Sequence, residues 1–134
     1  MRFSVRTKGH TDIQNITGEI QKIVESSGVK QGLAFIFITA TTASLFLNEY
    51  EKGLLADLKK WLTELVPEKG NYHHNLLNGD GNAHAHLRSL LFNSHLFVPI
   101  ENHQLALGRW QSVLLIDFDN RPREREVVIE VIGK

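Results

Sequence analysis

The residues best suited to chemistry lie close together between Asn71 and Leu91, in the sequence NYHHNLLNGDGNAHAHLRSLL. This stretch holds four of the seven histidines of the chain, and imidazole serves both as a metal ligand and as an acid–base group. His84 and His86 point to one side of an extended segment but diverge by about 200° on an α-helix. The two histidines can therefore bind one metal together only if they lie on extended chain. On a helix, only one of them can be a ligand. Histidines that merely cap or pack a helix are the alternative.

A pair of glycines, Gly79 and Gly81, lies directly before the helix that we predict from residue 82. Backbone N–H groups in such a loop can form a concave anion site, which the helix dipole supports. Phosphate or pyrophosphate is the natural ligand. Asp80 opposes a bare phosphate unless a divalent cation lies between the two negative charges. A plain glycine-rich turn is the alternative.

Two other segments carry polar groups where sites are commonly built. Asn48 and Glu49 end an apolar run, and so place an amide and a carboxylate at the end of a strand. Gly108 is followed by Arg109, Trp110 and Gln111, and an indole beside an amide can stack on and hydrogen-bond a heteroaromatic ring. A tryptophan that anchors the edge of the core is the alternative.

A third group of polar residues follows the segment LLIDF. Arg121, Arg123 and Arg125 alternate with Glu124 and Glu126, which is typical of a turn and a solvated strand face. Arg121 or Arg123 could also reach a phosphate group.

The composition narrows the possible functions. Lysine and arginine total 15, as do aspartate and glutamate, so no net positive charge attracts nucleic acid or a membrane surface. The absence of cysteine excludes disulfides, thiolate nucleophiles and cysteine-bound zinc. A metal would need imidazole, carboxylate or amide ligands. No apolar signal sequence or membrane-length run is present, so we expect a cytoplasmic protein.

Hydrophobic periodicity predicts the elements that position these residues. We predict strands over 2–7, 33–39, 44–49, 96–100, 104–107, 112–118 and 125–132, helices from Asp12 to a stop at Gly28, over 54–65 and over 82–92, and a loop over 67–81. This uneven grouping favours a single α+β domain over 1–134, with a mixed or antiparallel sheet packed against about three helices.

Five motifs together resemble the YjbQ-like family, also called the secondary thiamine-phosphate synthase family. They are TTASLFLNE, LTELVPEKGNYHHN, NGDGNAHAHLRSLLFNS, LALGRWQ and DFDNRPREREVVIEVIG, and they follow the family order from about residue 39 onward. The resemblance implies a compact α+β subunit assembled as a homotrimer. It also implies a transferase that joins a pyrimidine diphosphate to a thiazole phosphate and releases pyrophosphate. That activity is regarded as secondary, and the family's primary role is unsettled.

The resemblance also implies which residues form the site. A divalent metal, zinc or magnesium, would be bound by His74, His84 and His86. The catalytic residues would be His84, His86, Glu49 and Asn48, and the small phosphorylated substrate would contact Gly79, Gly81, Arg109, Trp110 and Gln111. The Gly79–Gly81 loop, Arg109 and a bound cation would take the charge of the leaving group, while Trp110 and the amides would hold the ring.

The chain departs from the family pattern at two places. Ala40 stands where family members commonly have a histidine ahead of the Thr-Thr pair, and Arg109 stands where they have a small hydroxyl residue. Ala40 implies a weaker or altered activity, whereas Arg109 adds a permanent cation for a diphosphate. Two other functions remain open: a metal-dependent hydrolase of a small substrate, and a non-enzymatic trimer that binds a metal or ligand.

Overall fold

The computed structural model describes the whole chain, Met1–Lys134, as eight strands and four helices. The strands are β1 (Arg2–Thr7), β2 (Asp12–Asn15), β3 (Gln31–Ile38), β4 (Ala43–Asn48), β5 (His95–Glu101), β6 (Gln104–Leu105), β7 (Ser112–Asp117) and β8 (Arg123–Gly133). The helices are α1 (Thr17–Ser27), α2 (Lys52–Leu65), α3 (His73–Asn78) and α4 (Ala83–Ser89). The predicted α+β class is confirmed.

The strands form two sheets, and every pairing within them is antiparallel. The larger sheet has the order β1-β8-β3-β5-β6, and the smaller sheet has the order β2-β7-β4. Strand β8, which follows every other strand in the chain, therefore lies inside the larger sheet, between β1 and β3. Of the two predicted alternatives, the antiparallel sheet is correct.

Strand β7 separates two apolar clusters. Val113 and Leu115 face the larger cluster, which fills the space between the two sheets and receives Ile20 and Val24 of α1. Leu114 and Ile116 point the other way, into a smaller cluster completed by residues of α2 and α4. This strand is buried on both faces, which explains its unbroken apolar run. The layers are thus sheet, sheet and helices.

The outer face of the larger sheet has no covering layer in the chain. Alternate residues of β3, β5 and β8 point away from the core, and their side chains are half-buried or exposed. The large apolar residues of this outer face are Leu33, Phe35, Phe37, Phe97, Val128 and Ile132. Phe35 and Phe97 lie side by side, with ring centroids 5.0 Å apart. The result is an apolar surface across three neighbouring strands, interrupted on β8 by the exposed Glu130.

The first predicted helix is wrong at its start. Residues 12–15 form strand β2, which pairs with β7, and α1 begins only at Thr17. Ile13 and Ile16 are buried and happen to lie at helical spacing, but long-range pairing with β7 decides the local structure. The side-chain oxygen of Asn15 accepts a 3.1 Å hydrogen bond from Thr17 N at the new helix start. The predicted stop is correct, because Gly28 ends α1 with a positive φ of 73°.

The predicted loop over 67–81 is also wrong in part, because it contains the short helix α3. Leu76 and Leu77 of this helix are 82% and 89% exposed, so the helix lacks the apolar stripe that periodicity detects. Helix α4 ends at Ser89, three residues earlier than predicted. None of the four helices combines the length and apolar character that a membrane span needs.

Candidate active site

The two neighbouring histidines of the HAH motif face different ways. Both lie on α4, where side chains two residues apart diverge. His84 is 2% exposed and packs inside the protein, whereas His86 lines an open cavity. They therefore do not form a shared site, as the helical geometry predicts. His84 keeps one orphaned polar atom, because its Nδ1 is buried without a hydrogen-bond partner.

His86 instead meets His74, which lies on α3. The two imidazole rings contact edge to face, with centroids 4.7 Å apart. His74 Nε2 lies 3.1 Å from Asn82 Oδ1, and Asn82 Nδ2 donates to Asp119 Oδ1 at 3.3 Å. A carboxylate only accepts hydrogen bonds, so the amide must turn its nitrogen to Asp119 and its oxygen to His74. His74 therefore carries its proton on Nε2.

A buried network of acidic and basic side chains stands behind these histidines. Asp117 and Asp119 are fully buried at the end of β7. Arg125 binds Asp117 through two nitrogens, at 2.6 and 2.9 Å, and donates to the Thr42 hydroxyl at 2.7 Å. The hydroxyl of Thr7 donates to Asp117 at 2.6 Å. Buried charges persist only when they are paired and hydrogen-bonded in this way.

Asp119 links this network to the histidines. It accepts hydrogen bonds from Arg123 Nε at 2.7 Å, from Asn120 N at 2.9 Å and from Asn82. Burial alone would raise the pKa of this carboxyl, but the hydrogen bonds from Arg123, Asn120 and Asn82 outweigh burial and lower the pKa. Asp119 therefore stays ionised and holds Arg123 and Asn82 in place.

A polar cavity of about 590 Å³ opens in front of the network. Its charged lining consists of Arg123, Arg125 and Asp80, and its other polar residues include His86, Asn82, Thr41 and Ser94. Arg123 uses only Nε within the chain, so its two terminal amino groups are free to donate into the cavity. Asp117 and Asp119 balance the two arginines. An anion would therefore be held by directed hydrogen bonds rather than by excess positive charge.

His86 is a neutral imidazole at this cavity. Burial lowers its pKa, and the neighbouring His74 lowers it further. Burial also lowers the pKa of His84, against the opposing influence of Glu68. At neutral pH, His86 can therefore accept a proton or a hydrogen bond from a ligand in the cavity.

The predicted ligands for a divalent metal do not converge. No group of three or more His, Asp or Glu side chains lies close enough to hold a metal ion. His74 and His86 are neighbours, but the imidazole of His84 is buried elsewhere. The residues of a single chain do not fit a three-histidine metal centre, and the metal stays a prediction that elemental analysis of the purified protein can test.

The remaining predicted residues lie at the opposite end of the smaller sheet. Asn48 pairs with Ser112, whereas Ala43 pairs with Asp117 five residues away along the same ladder. At about 3.4 Å per residue, the two ends are about 17 Å apart. Glu49, Arg109, Trp110 and Gln111 all adjoin the Asn48 end, and none of them lines the cavity. One chain thus presents two separate groups of predicted site residues.

Gly79 and Gly81 take positive φ angles of 72° and 65° on either side of Asp80. Gly79 ends α3, and the carbonyl of Asp80 accepts a 2.9 Å hydrogen bond from Asn120. This loop places Asp80, rather than either glycine, in the cavity wall.

At the Asn48 end of the smaller sheet, Arg109 stacks 4.9 Å above the ring of Trp110, which is 64% exposed.

Sequence reasoning misses the residues that build the cavity most directly. The pattern indicates only a strand end and a turn at Asp117 and Asp119, and a solvated face at Arg125. The available signal is the sequence DFDNRPRER, in which three arginines closely follow two aspartates. Acids buried at the end of an apolar strand need cationic partners. Only pairing of β7 and β8 with other strands brings them together. The suggestion that Arg123 could reach a phosphate agrees with its place at the cavity.

Comparison with known proteins gives one consistent result. The sequence profile of the family described as UPF0047 protein YjbQ-like matches residues 1–134. A UPF0047 protein of Archaeoglobus fulgidus is 37% identical over 132 residues, which cover 98% of this chain and 100% of that protein. A UPF0047 protein of Synechocystis is 37% identical over 131 residues, which cover 97% of this chain and 88% of that protein.

Solved structures agree with the sequence comparison. A hypothetical protein from Aeropyrum pernix superimposes with a TM-score of 0.92 at 30% identity, covering 100% of this chain and 98% of that one. An uncharacterised conserved protein from Clostridium acetobutylicum gives 0.91 at 34% identity, covering 98% of this chain and 99% of that one. A YbjQ-like protein of unknown function from Sulfolobus solfataricus gives 0.90 at 29% identity, covering 100% and 97%. This chain therefore belongs to the YjbQ-like UPF0047 family.

Proposed function

We propose that this protein is a transferase of the thiamine-phosphate synthase type, which joins a pyrimidine diphosphate to a thiazole phosphate. The observation that carries the proposal is the polar cavity in which the free amino groups of Arg123 face the same space as the neutral His86. Such a cavity suits a substrate whose phosphate oxygens accept hydrogen bonds. Its volume lies in the range of small-molecule sites.

The reaction requires two changes at one carbon. The bond between the methylene carbon of the pyrimidine and the bridging oxygen breaks, and its electron pair leaves with pyrophosphate. The lone pair of the thiazole nitrogen then forms the new C–N bond, which makes the thiazolium cation. Negative charge grows on the leaving pyrophosphate, so donors fixed in advance lower the barrier.

Each residue at the cavity then has a defined role. Arg123 donates to the departing pyrophosphate, and Asp119 holds its Nε from behind at 2.7 Å. Arg125 is 11% exposed and tied to Asp117, so it supports the cavity wall rather than moving with the ligand. The neutral His86 accepts a hydrogen bond from the substrate.

The direct test is product formation from both thiamine precursors with magnesium present. We expect Arg123→Gln to lower kcat/KM about 100-fold, the usual effect of removing one donor to developing charge. Arg6→Gln is the matched control, because Arg6 is exposed on β1 away from the cavity. No product above the level of His86→Ala would refute the proposal. Hydrolysis of phosphoesters alone would select the hydrolase, and binding without turnover would select a binding protein.

We also propose that the chain assembles as a homotrimer. The outer face of the larger sheet supports this proposal, because Leu33, Phe97 and Ile132 are 42%, 58% and 63% exposed there. An exposed apolar surface of this kind is usual at contacts between subunits. Light scattering coupled to size-exclusion chromatography measures the mass directly, and a monomer at all concentrations would refute the proposal.

A further inference from the structure

His86 lies in a wall between two cavities. On one side is the polar cavity with the arginines, and on the other is a second cavity of about 430 Å³. Four residues line both spaces: Ala40, Thr41, His86 and Ser94. The two cavities therefore adjoin along these four residues, with His86 at the junction.

The second cavity differs from the first in charge. It has no Arg, Lys, Asp or Glu in its lining, whereas the first has Arg123, Arg125 and Asp80. Leu90 and Phe92 supply apolar surface, and the hydroxyls of Ser44 and Ser89 lie on its wall. Ser44 is 1% exposed and its hydroxyl is bonded to both the carbonyl and the hydroxyl of Ser89, at 2.8 and 2.9 Å. The half-buried Ser89 therefore supplies the hydroxyl that a ligand can reach. Such a lining suits an uncharged ring with a polar edge.

We infer that the second cavity binds the neutral nitrogen heteroaromatic ring of the substrate whose diphosphate occupies the first. This inference rests on the proposed function and adds the position of the ring. The reacting carbon, between ring and diphosphate, then lies at the junction beside His86. An amino group on the ring would donate to the Ser89 hydroxyl, while Leu90 and Phe92 contact the faces of the ring.

Ala40 controls the width of this junction. It is half-buried and lines both cavities, so its small side chain lies where the two spaces adjoin. A larger side chain at this position would fill space at the junction, whereas Arg123 lines only the first of these two cavities. Ala40 is thus a specificity-determining residue for a ligand that spans the wall.

The test uses two probes on the purified full chain, titrated by calorimetry with magnesium present because Asp80 at the first cavity opposes a bare phosphate: inorganic pyrophosphate and 4-amino-2-methylpyrimidine. Leu90→Asp places a charge at the rim of the second cavity, and Leu90 is 79% exposed, so the fold tolerates the change. Leu77→Asp is the matched control on α3, where Leu77 is 89% exposed and lines neither cavity. We expect Leu90→Asp alone to weaken pyrimidine binding roughly tenfold or more, or about 1.4 kcal/mol. Both variants should bind pyrophosphate like the wild type.

Three results would overturn the inference: no pyrimidine binding by the wild type, equal pyrimidine binding by Leu90→Asp and Leu77→Asp, or competition between pyrophosphate and the pyrimidine. Simultaneous binding of both probes is expected if the cavities are separate. Failure of the proposed function can be told apart from failure of this inference. If only the proposed function is wrong, both probes bind, but the two thiamine precursors are not joined. Product formation with pyrimidine binding unaffected by Leu90→Asp would instead reject only the second cavity.

Discussion

Asp119→Asn tests whether the buried network stabilises the site. The carboxylate is fully buried and accepts hydrogen bonds from Arg123, Asn82 and the Asn120 amide. The substitution keeps the volume of the side chain and removes its charge. An amide has one oxygen where the carboxylate has two, so it cannot accept from Arg123 and Asn82 through separate oxygens. Arg123 loses its anionic partner, and the link from Asn82 to His74 is disturbed.

The expected loss of unfolding free energy in Asp119→Asn depends on how exposed Arg123 is. Removing one member of a buried ion pair costs about 3–5 kcal/mol. The Arg123 side chain is 33% exposed, so its guanidinium recovers some hydration and the lower end, about 3 kcal/mol, applies. For a chain of 134 residues, a loss of that size lowers Tm by about 10 °C.

The pH dependence has a definite sign. The folded state lowers the pKa of Asp119 below its ordinary value of 3.8. The carboxylate therefore adds stability above the unfolded pKa, and this stability is lost as the pH falls through the folded pKa. The difference in unfolding free energy between wild type and Asp119→Asn should be largest at neutral pH and shrink below about pH 4.

Urea unfolding at neutral pH and at about pH 3 measures this difference. All samples need one protein concentration, because stabilisation by assembly increases with the logarithm of the concentration. Asp57→Asn is the control, since Asp57 is exposed on α2 without a hydrogen-bond partner. A neutral-pH cost for Asp119→Asn no larger than that of Asp57→Asn, or a difference that does not shrink in acid, would refute the reasoning.

Four further predictions use simpler measurements. Phe97→Asp should yield a monomer by light scattering, since it charges the exposed sheet face; an unchanged mass would remove that face from the interface. Ala40→Phe should weaken aminopyrimidine binding about tenfold but not pyrophosphate binding, and equal losses would contradict a junction role. Trp110→Ala should leave Tm within about 2 °C, because Trp110 is 64% exposed, and should leave kcat/KM unchanged, because Trp110 does not line the cavity of its own chain. A lower kcat/KM would instead show that Trp110 reaches substrate in the cavity of a neighbouring subunit. His84→Ala should bind as much zinc as wild type while His74→Ala binds less, and the reverse order would place His84 at the metal.

The sequence predicts elements well where one periodicity dominates. Strand β7 is apolar at Val113 through Ile116, and this unbroken run is sufficient to predict a buried strand. The apolar stripe of α2 is equally sufficient to predict a helix. The start of α1 is mispredicted because Ile13 and Ile16 satisfy a helical spacing while lying on a strand and at its end. Local spacing cannot reveal that β7 offers a better partner.

The sequence suggests His86 and Arg123 as site residues, but it does not reveal how the candidate site is assembled. The approach of His74 to His86 depends on how α3 lies against α4, and nothing in their spacing gives that angle. The acidic pair lies at the end of β7 in the smaller sheet and Arg125 lies on β8 in the larger sheet, so they meet only when the two sheets pack together. The side-chain hydrogen bond from Thr7 of β1 to Asp117 of β7 joins the sheets in the same way. Their pairing needs tertiary structure, whereas residue type alone indicates that His86 could act as a base.

The interior position of β8 in the larger sheet has a consequence for how the chain folds. Arg2 pairs with Val128, and β8 also borders β3, so the larger sheet lacks the strand between β1 and β3 until residues 123–133 have been synthesised. During synthesis, β1 and β3 must wait for β8 to leave the ribosome. Pairings across so much sequence make folding slow and leave strand edges open meanwhile. We therefore expect nascent chains that lack β8 to depend on chaperones and to aggregate when released early.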